Sequence, residues 1–249
     1  MNPEEAERFY RCEYGPRFLS GADVAARRRM FGHLLAGLGP PHRRRLLDLG
    51  AGSGLFVRMA LDSGWQAEGT ELSIQSRDWA MEHHGVALRD PVSSPPNDAS
   101  YDVVSIINVL DQAPDPVMLL RQARKALRPN GLLLVRVPNG SFHICWNRLA
   151  SLPGLSRFAR LGIIHSLAFT PKSLRHVLHA EGYLILSIRN ARFAEGPPPG
   201  ASPSFLLPIL LKVAALFARA PVLWGPSLEI YASPGGRHLG QVDLATSKV

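Results

Sequence analysis

Residues 46–54 read Leu-Leu-Asp-Leu-Gly-Ala-Gly-Ser-Gly, an apolar run set directly against three glycines two apart. Such a run is a buried strand. The glycines at 50, 52 and 54 permit a tight turn, close approach of a ligand to the backbone, and free amides at the start of the next helix. Phe56, Met59 and Ala60 continue at helical spacing. The pattern is GxGxG followed by Leu55, whereas the dinucleotide fingerprint needs glycine at 55, so a nicotinamide-dependent oxidoreductase is disfavoured.

From about Arg44 onward, short apolar runs alternate with amphipathic stretches, which is the signature of βαβ units. Strands are expected at 46–49, 65–70, 86–88, 101–108, 132–137, 183–190 and 227–232. Ser73, Asp115-Pro116 and Thr170-Pro171 mark helix starts. The turn at 128–131 and Gly182 mark helix ends. The expectation is a doubly wound α/β domain with a mostly parallel seven-stranded sheet over 43–249, preceded by a helical cap at 1–42. Insertions at 139–169 and 193–225 are where substrate specificity should reside, because long loops at strand ends carry function.

The formal charge is +8, and only four of the 28 basic residues are Lys. The Arg triplets at 27–29 and 43–45 lack interleaved aromatics, so they read as solvated faces and not as a nucleic-acid surface. Residues 1–11 are polar and unlike a secretory signal, which suggests a reducing, cytoplasmic setting. Cys12 and Cys145 have no ligand spacing, and no metal is expected. The apolar segment 205–224 contains Lys212, Arg219, Pro208 and Pro221, which argue against a membrane span. It reads as lid or core packing, with a peripheral membrane contact as the alternative.

Glu71 ends the second strand, nineteen residues after Gly52, where a carboxylate can accept both hydroxyl protons of a ribose. Turn and acid together point to an adenosine-containing ligand.

With these features in place, the chain resembles the class I S-adenosylmethionine (SAM)-dependent methyltransferases of the ubiquinone-biosynthesis type, in the groups called types 11 and 23. Residues 46–54 resemble the family's first motif and 69–73 its acidic second-strand end. Residues 101–116 resemble its fourth-strand region, 127–131 the turn before strand five, and 165–182 the late segment of type 23. The resemblance implies SAM as cofactor and S-adenosylhomocysteine as product. It places Gly50, Gly52 and Gly54 along the methionine end of SAM, Glu71 at the ribose and Asp90 near the adenine amine, with Ala51 and Leu72 also at the cofactor. Asp48 would orient the glycine turn, and Asn108 would face the cofactor.

Relatives commonly carry Glu-His where this chain has Asp111-Gln112, and Gln112 cannot take a proton at neutral pH. The resemblance places His165 just before the Thr170-Pro171 helix on the active-site side, which makes it the leading candidate base, with His143 second. Tyr10 and Tyr14 are placed in the cap over the cofactor, and Asn139, Phe142 and Trp146 at an apolar pocket for a small-molecule acceptor. Methyl transfer to a hydroxyl is the expected activity. The alternative is a SAM-binding module that is non-catalytic or depends on a partner.

Overall fold

The computed structural model describes residues 8, 21–96, 98–151, 166–191 and 223–235. Among these residues it has one six-stranded sheet and six helices of eight residues or more. Helix α1 spans Gly21–Gly37, followed by β1 Arg45–Leu49, α2 Leu55–Asp62, β2 Gln66–Thr70 and α3 Ile74–His84. Then come β3 Tyr101–Ile107, α4 Pro116–Ala126, β4 Leu127–Pro138 and α5 Gly140–Ala150. Helix α6 Pro171–Ala180, β5 Tyr183–Asn190 and β6 Ser227–Pro234 complete the order.

The strands lie side by side as β2-β1-β3-β4-β6-β5, parallel except for β6, which runs antiparallel to both of its neighbours. This is a doubly wound α/β fold. Consecutive residues of each central strand serve opposite faces, as the pleat dictates. Leu47, Val104, Leu133 and Ile230 pack with Leu120 and Ala123 of α4 and Leu174 and Leu178 of α6. Their neighbours Leu46, Val103, Leu134 and Tyr231 pack with Met30, Phe31, Leu34 and Leu35 of α1 and with Leu55, Phe56 and Ala60 of α2. Helix α1, in the stretch assigned to an N-terminal cap, thus packs beside α2 on the sheet face opposite α4 and α6.

Capping explains where the helices begin. Ser73 accepts from the Ser76 amide, Asp115 from Met118, and Thr170 exchanges hydrogen bonds with Ser173 in a capping box, each ahead of its helix.

Two strand expectations need correction. The segment expected as a third strand at 86–88 forms no strand, and only the next residue makes an isolated bridge, Thr70↔Arg89. Pro91 follows at once, and the Asp90 carboxylate accepts from the Val92 amide, so the chain turns away before a ladder can grow. The strand expected at 132–137 instead begins at Leu127, paired with Tyr101. The turn-forming residues Arg128, Pro129 and Asn130 protrude, exposed, at a register shift within it.

Candidate functional site

The parallel strands β1, β2 and β3 end on the same edge of the sheet, and the turn after β1 carries the three glycines in left-handed backbone, with φ of 75°, 54° and 73° at Gly50, Gly52 and Gly54. Their surroundings differ. A Cβ on Gly50 would stand 2.6 Å from Val109 Cγ2, and one on Gly54 would stand 2.8 Å from Ala80 Cβ. At Gly52 a Cβ would meet nothing within 4 Å. Two of the glycines therefore serve close packing, and the third opens the turn to a ligand. The Gly50 and Ala51 amides donate to the Thr70 carbonyl at 2.9 and 2.8 Å, tying the turn to the end of β2.

Beyond β2, each carboxylate oxygen of Glu71 accepts one backbone amide. Gly52 N donates to Oε2 at 2.8 Å and Ser73 N donates to Oε1 at 2.9 Å. Burial raises the Glu71 pKa above the usual carboxylate value, against the opposing pull of these amides and of Arg77. A carboxylate offers about four acceptor sites, so capacity remains for further donors. Arg77 of α3 donates one amino group to the carbonyls of Glu71 and Leu72, at 2.7 and 2.9 Å. Its other amino group lies 3.7 Å from Asp90 Oδ2.

Asp48 is buried at the end of β1 and accepts the Ser105 hydroxyl at 2.6 Å. Desolvation pushes its pKa up to about 7, and the nearby charge of Glu71 adds to the rise. At the end of β3, Asn108 takes a left-handed φ of 56°. Its side-chain oxygen accepts from Arg136 at 2.6 Å, and its carbonyl accepts from the Gln112 amide group at 2.9 Å. Asp111 is buried beside it, and its carbonyl accepts from the Leu167 amide at 3.1 Å. Residues 166–169, which follow His165, are thereby held against the β3 loop. The next polar row along β4 and β6 pairs Arg136 with Glu229, and Arg189 donates to Glu229 from β5 at 3.0 Å.

Helix α5 begins the first insertion. Asn139, expected at the substrate, is fully buried and committed elsewhere: its amide group donates to the Leu223 and Gly225 carbonyls, and its oxygen accepts from Ser141 N. With both donors and the acceptor engaged, it fastens the end of β4 to residues 223–225. His143 Nε2 lies 2.8 Å from the Pro226 carbonyl, and because a carbonyl only accepts, that nitrogen carries the proton. Nε2 is therefore unable to act as a base. Phe142 and Trp146 stack with centroids 6.1 Å apart, both half-buried on α5. Tyr10, Tyr14, His165 and most of 193–225 lie outside the described residues.

The structure thus brings together Asp48, the glycine turn, Glu71, Leu72, Asp90 and Asn108 at the ends of β1 to β3. An open cradle at Gly52 beside a carboxylate with spare acceptor capacity fits a ligand with a ribose at one end and a compact amino acid at the other, as SAM has. Three contributors were missed from the sequence: Ser105, Ser73 as an amide donor, and Arg77. Ser73 and Ser105 lie inside matched motifs but nothing local marks these roles, and Arg77 lies outside every motif; only the register of β1 with β3 and the facing of α3 reveal them. Among the described residues, no group of His, Cys, Asp and Glu could hold a metal ion. No described helix is long and apolar enough to cross a membrane.

Comparisons with known proteins agree with this architecture. A family model described as a methyltransferase domain matches residues 23–188. The ubiquinone biosynthesis O-methyltransferase of Idiomarina loihiensis is 28% identical over 106 residues, 39% of this chain and 43% of that enzyme. The enzyme of the same name from Aeromonas salmonicida is 24% identical over 160 residues, 61% of this chain and 67% of its own length. The chain thus spans less than half of the first relative and about two thirds of the second. Among solved structures, a methyltransferase from Haloferax volcanii in complex with the Trm112 methyltransferase activator superposes with a TM-score of 0.62 at 18% identity, covering 84% of this chain and 92% of that one. An S-adenosylmethionine-dependent methyltransferase from Listeria monocytogenes gives 0.59 at 17% identity, covering 87% and 100%.

Proposed function

The chain belongs to the methyltransferase-domain family, and on that premise we propose that it transfers the methyl group of SAM to a hydroxyl oxygen of a small-molecule acceptor, leaving S-adenosylhomocysteine. The observation that carries this reading is the pairing of an open left-handed Gly52 with the Glu71 carboxylate, 2.8 Å from its amide. When bound, SAM supplies a methyl group already activated on a sulfonium sulfur. What remains for the protein is to bind, align and exclude water. Gly50, Ala51, Gly52 and Gly54 would hold the amino acid end, Glu71 the ribose hydroxyls, and Leu72 and Asp90 the base. Asp48 and Asn108 would complete the floor. Phe142 and Trp146 would offer an apolar wall to the acceptor, and Tyr10 and Tyr14 are proposed as further substrate contacts.

The acceptor hydroxyl loses its proton as the carbon–oxygen bond forms. His165 is assigned as the base that takes it, because the Leu167–Asp111 contact holds the residues just after it against the β3 loop. Gln112 has no basic site for this step, and the ring Nε2 of His143 already donates to Pro226. A hydroxylated acceptor agrees with the O-methyltransferase activity in the relatives' names. A cytoplasmic setting, with a peripheral membrane contact as the most intimate association with a bilayer, completes this reading.

Calorimetry with SAM and S-adenosylhomocysteine tests the cofactor reading. Release of S-adenosylhomocysteine in the presence of simple phenols tests the transfer, and binding without turnover for any hydroxylated acceptor would reject catalysis by the isolated chain. The second reading is a module active only with a protein partner. It is favoured by Gln112 in the basic position and by the activator bound to the Haloferax methyltransferase.

A further inference from the structure

We infer that Arg77 is the positioning residue for the nucleoside half of the cofactor, a role that rests on the SAM-binding reading above. The site residues Glu71, Leu72 and Asp90 come from two separate segments, and one guanidinium touches all three. Its first amino group donates to the Glu71 and Leu72 carbonyls at 2.7 and 2.9 Å, fixing the backbone that aims the Glu71 carboxylate. Its second lies 3.7 Å from Asp90 Oδ2, on the far side of the β2 loop.

The side chains of Arg77 and Asp90 are only 19% and 17% exposed, so this pair is not a screened surface contact of little consequence. Asp90 in turn anchors the chain reversal after Arg89 through Val92 N. The bridge Thr70↔Arg89 and the Arg89–Glu68 ion pair at 3.1 Å tie Arg89 to β2, and Arg77 adds a further tie from the end of β2 to Asp90 on the adenine side.

The arrangement needs a fork. One amino group serves both carbonyls, so a lysine at 77 could cap them, but its single nitrogen could not also face the Asp90 carboxylate. The positive charge has a second effect, because it favours the ionised form of Glu71, which is buried and also feels Asp48. Ionised, Glu71 accepts from both ribose hydroxyls; protonated, it loses one acceptor.

The test uses the full chain and two probes, S-adenosylhomocysteine and 5′-methylthioadenosine, which lacks the amino acid end. Arg77→Met is expected to weaken both by the same factor, about tenfold or more, the usual scale for losing hydrogen bonds from a charged donor. Arg77→Lys should recover part of the loss. The affinity of Arg77→Met for S-adenosylhomocysteine should also fall off at a higher pH than in the wild type on acidification, reporting a raised Glu71 pKa. If Arg77→Met does not fold, Arg77→Lys carries the same comparison with a smaller expected loss.

Wild-type affinity for 5′-methylthioadenosine in these variants, or an unmoved pH profile, would overturn the role of Arg77. Failure of the wild-type chain to bind either probe would instead overturn the cofactor reading on which it rests.

Discussion

The Glu71 carboxylate accepts the Gly52 amide at 2.8 Å across nineteen residues of chain, so the residue assigned to the ribose also braces the turn assigned to the amino acid end. Glu71→Gln should therefore do more than remove a ribose acceptor. Its amide group would face one backbone N–H donor as a second donor, at a cost of about 1–3 kcal/mol. S-Adenosylhomocysteine affinity is expected to fall at least tenfold, and amide hydrogen exchange at 52–54 to quicken in the ligand-free protein. Unchanged exchange would show that the turn stands without this brace.

The glycines separate stability from binding. Gly54→Ala forces a Cβ to 2.8 Å from Ala80 Cβ in left-handed backbone and should cost about 2–4 kcal/mol of stability. Gly52→Ala meets no atom within 4 Å and should cost only the conformational penalty of about 1–2 kcal/mol. Yet its methyl would intrude on the cradle, and S-adenosylhomocysteine binding should be the property that fails. Denaturant unfolding and calorimetry on both variants check the split; equal binding losses at equal stability would refute it.

Asp48 makes stability depend on pH. Its folded pKa is raised from 3.8 to about 7, so the folded chain holds a proton that the unfolded chain has released between those values. The resulting stabilisation is complete below the unfolded pKa and is lost as pH rises through about 7. At about 1.4 kcal/mol per pKa unit, the effect is on the order of a few kcal/mol. Asp48→Asn, which can still accept from Ser105, should flatten the decline in melting temperature between pH 5 and 8. A decline as steep as in the wild type would assign it to other groups.

Asn139 should behave as a fastener. Asn139→Ala leaves the Leu223 and Gly225 carbonyls and the Ser141 amide without their partner, and is expected to cost about 2–4 kcal/mol with cofactor affinity unchanged. Chemical denaturation beside calorimetry distinguishes this from a binding role.

His165→Ala is expected to lower the rate of methyl transfer about a hundredfold at saturating cofactor, with S-adenosylhomocysteine affinity unchanged. A full rate in this variant would leave the acceptor proton to water.

What the sequence disclosed is what is encoded locally. The strand before Gly50, the glycine spacing and the acid at 71 sit within one βαβ unit, where a short stretch of chain dictates both backbone and chemistry. The Asp48–Ser105 hydrogen bond joins residues 57 apart and exists only because β1 and β3 pair in that register. Arg77 stands on a helix whose polar residues carry no pattern that marks one as facing inward. Asn139 misled for a related reason: a polar residue just past a buried strand resembles a site residue, until a segment more than eighty positions later returns to consume its hydrogen bonds. The short third strand was legible as an apolar run, but Asp90-Pro91 ended it before pairing could spread.

That truncation also shapes how the domain breathes. Residues 86–90 are joined to β2 by two backbone hydrogen bonds, Glu71 N to the Arg89 carbonyl and Arg89 N to the Gly69 carbonyl, each 3.0 Å. Val86 and Leu88 pack in the core and Arg89 pairs with Glu68, yet with so few ladder bonds this rim should open locally at a lower free energy than the central strands. Spent donor can then leave through the adenine rim while the interior of the sheet stays closed, and deuterium should reach Glu71 and Arg89 long before it reaches β1 or β3.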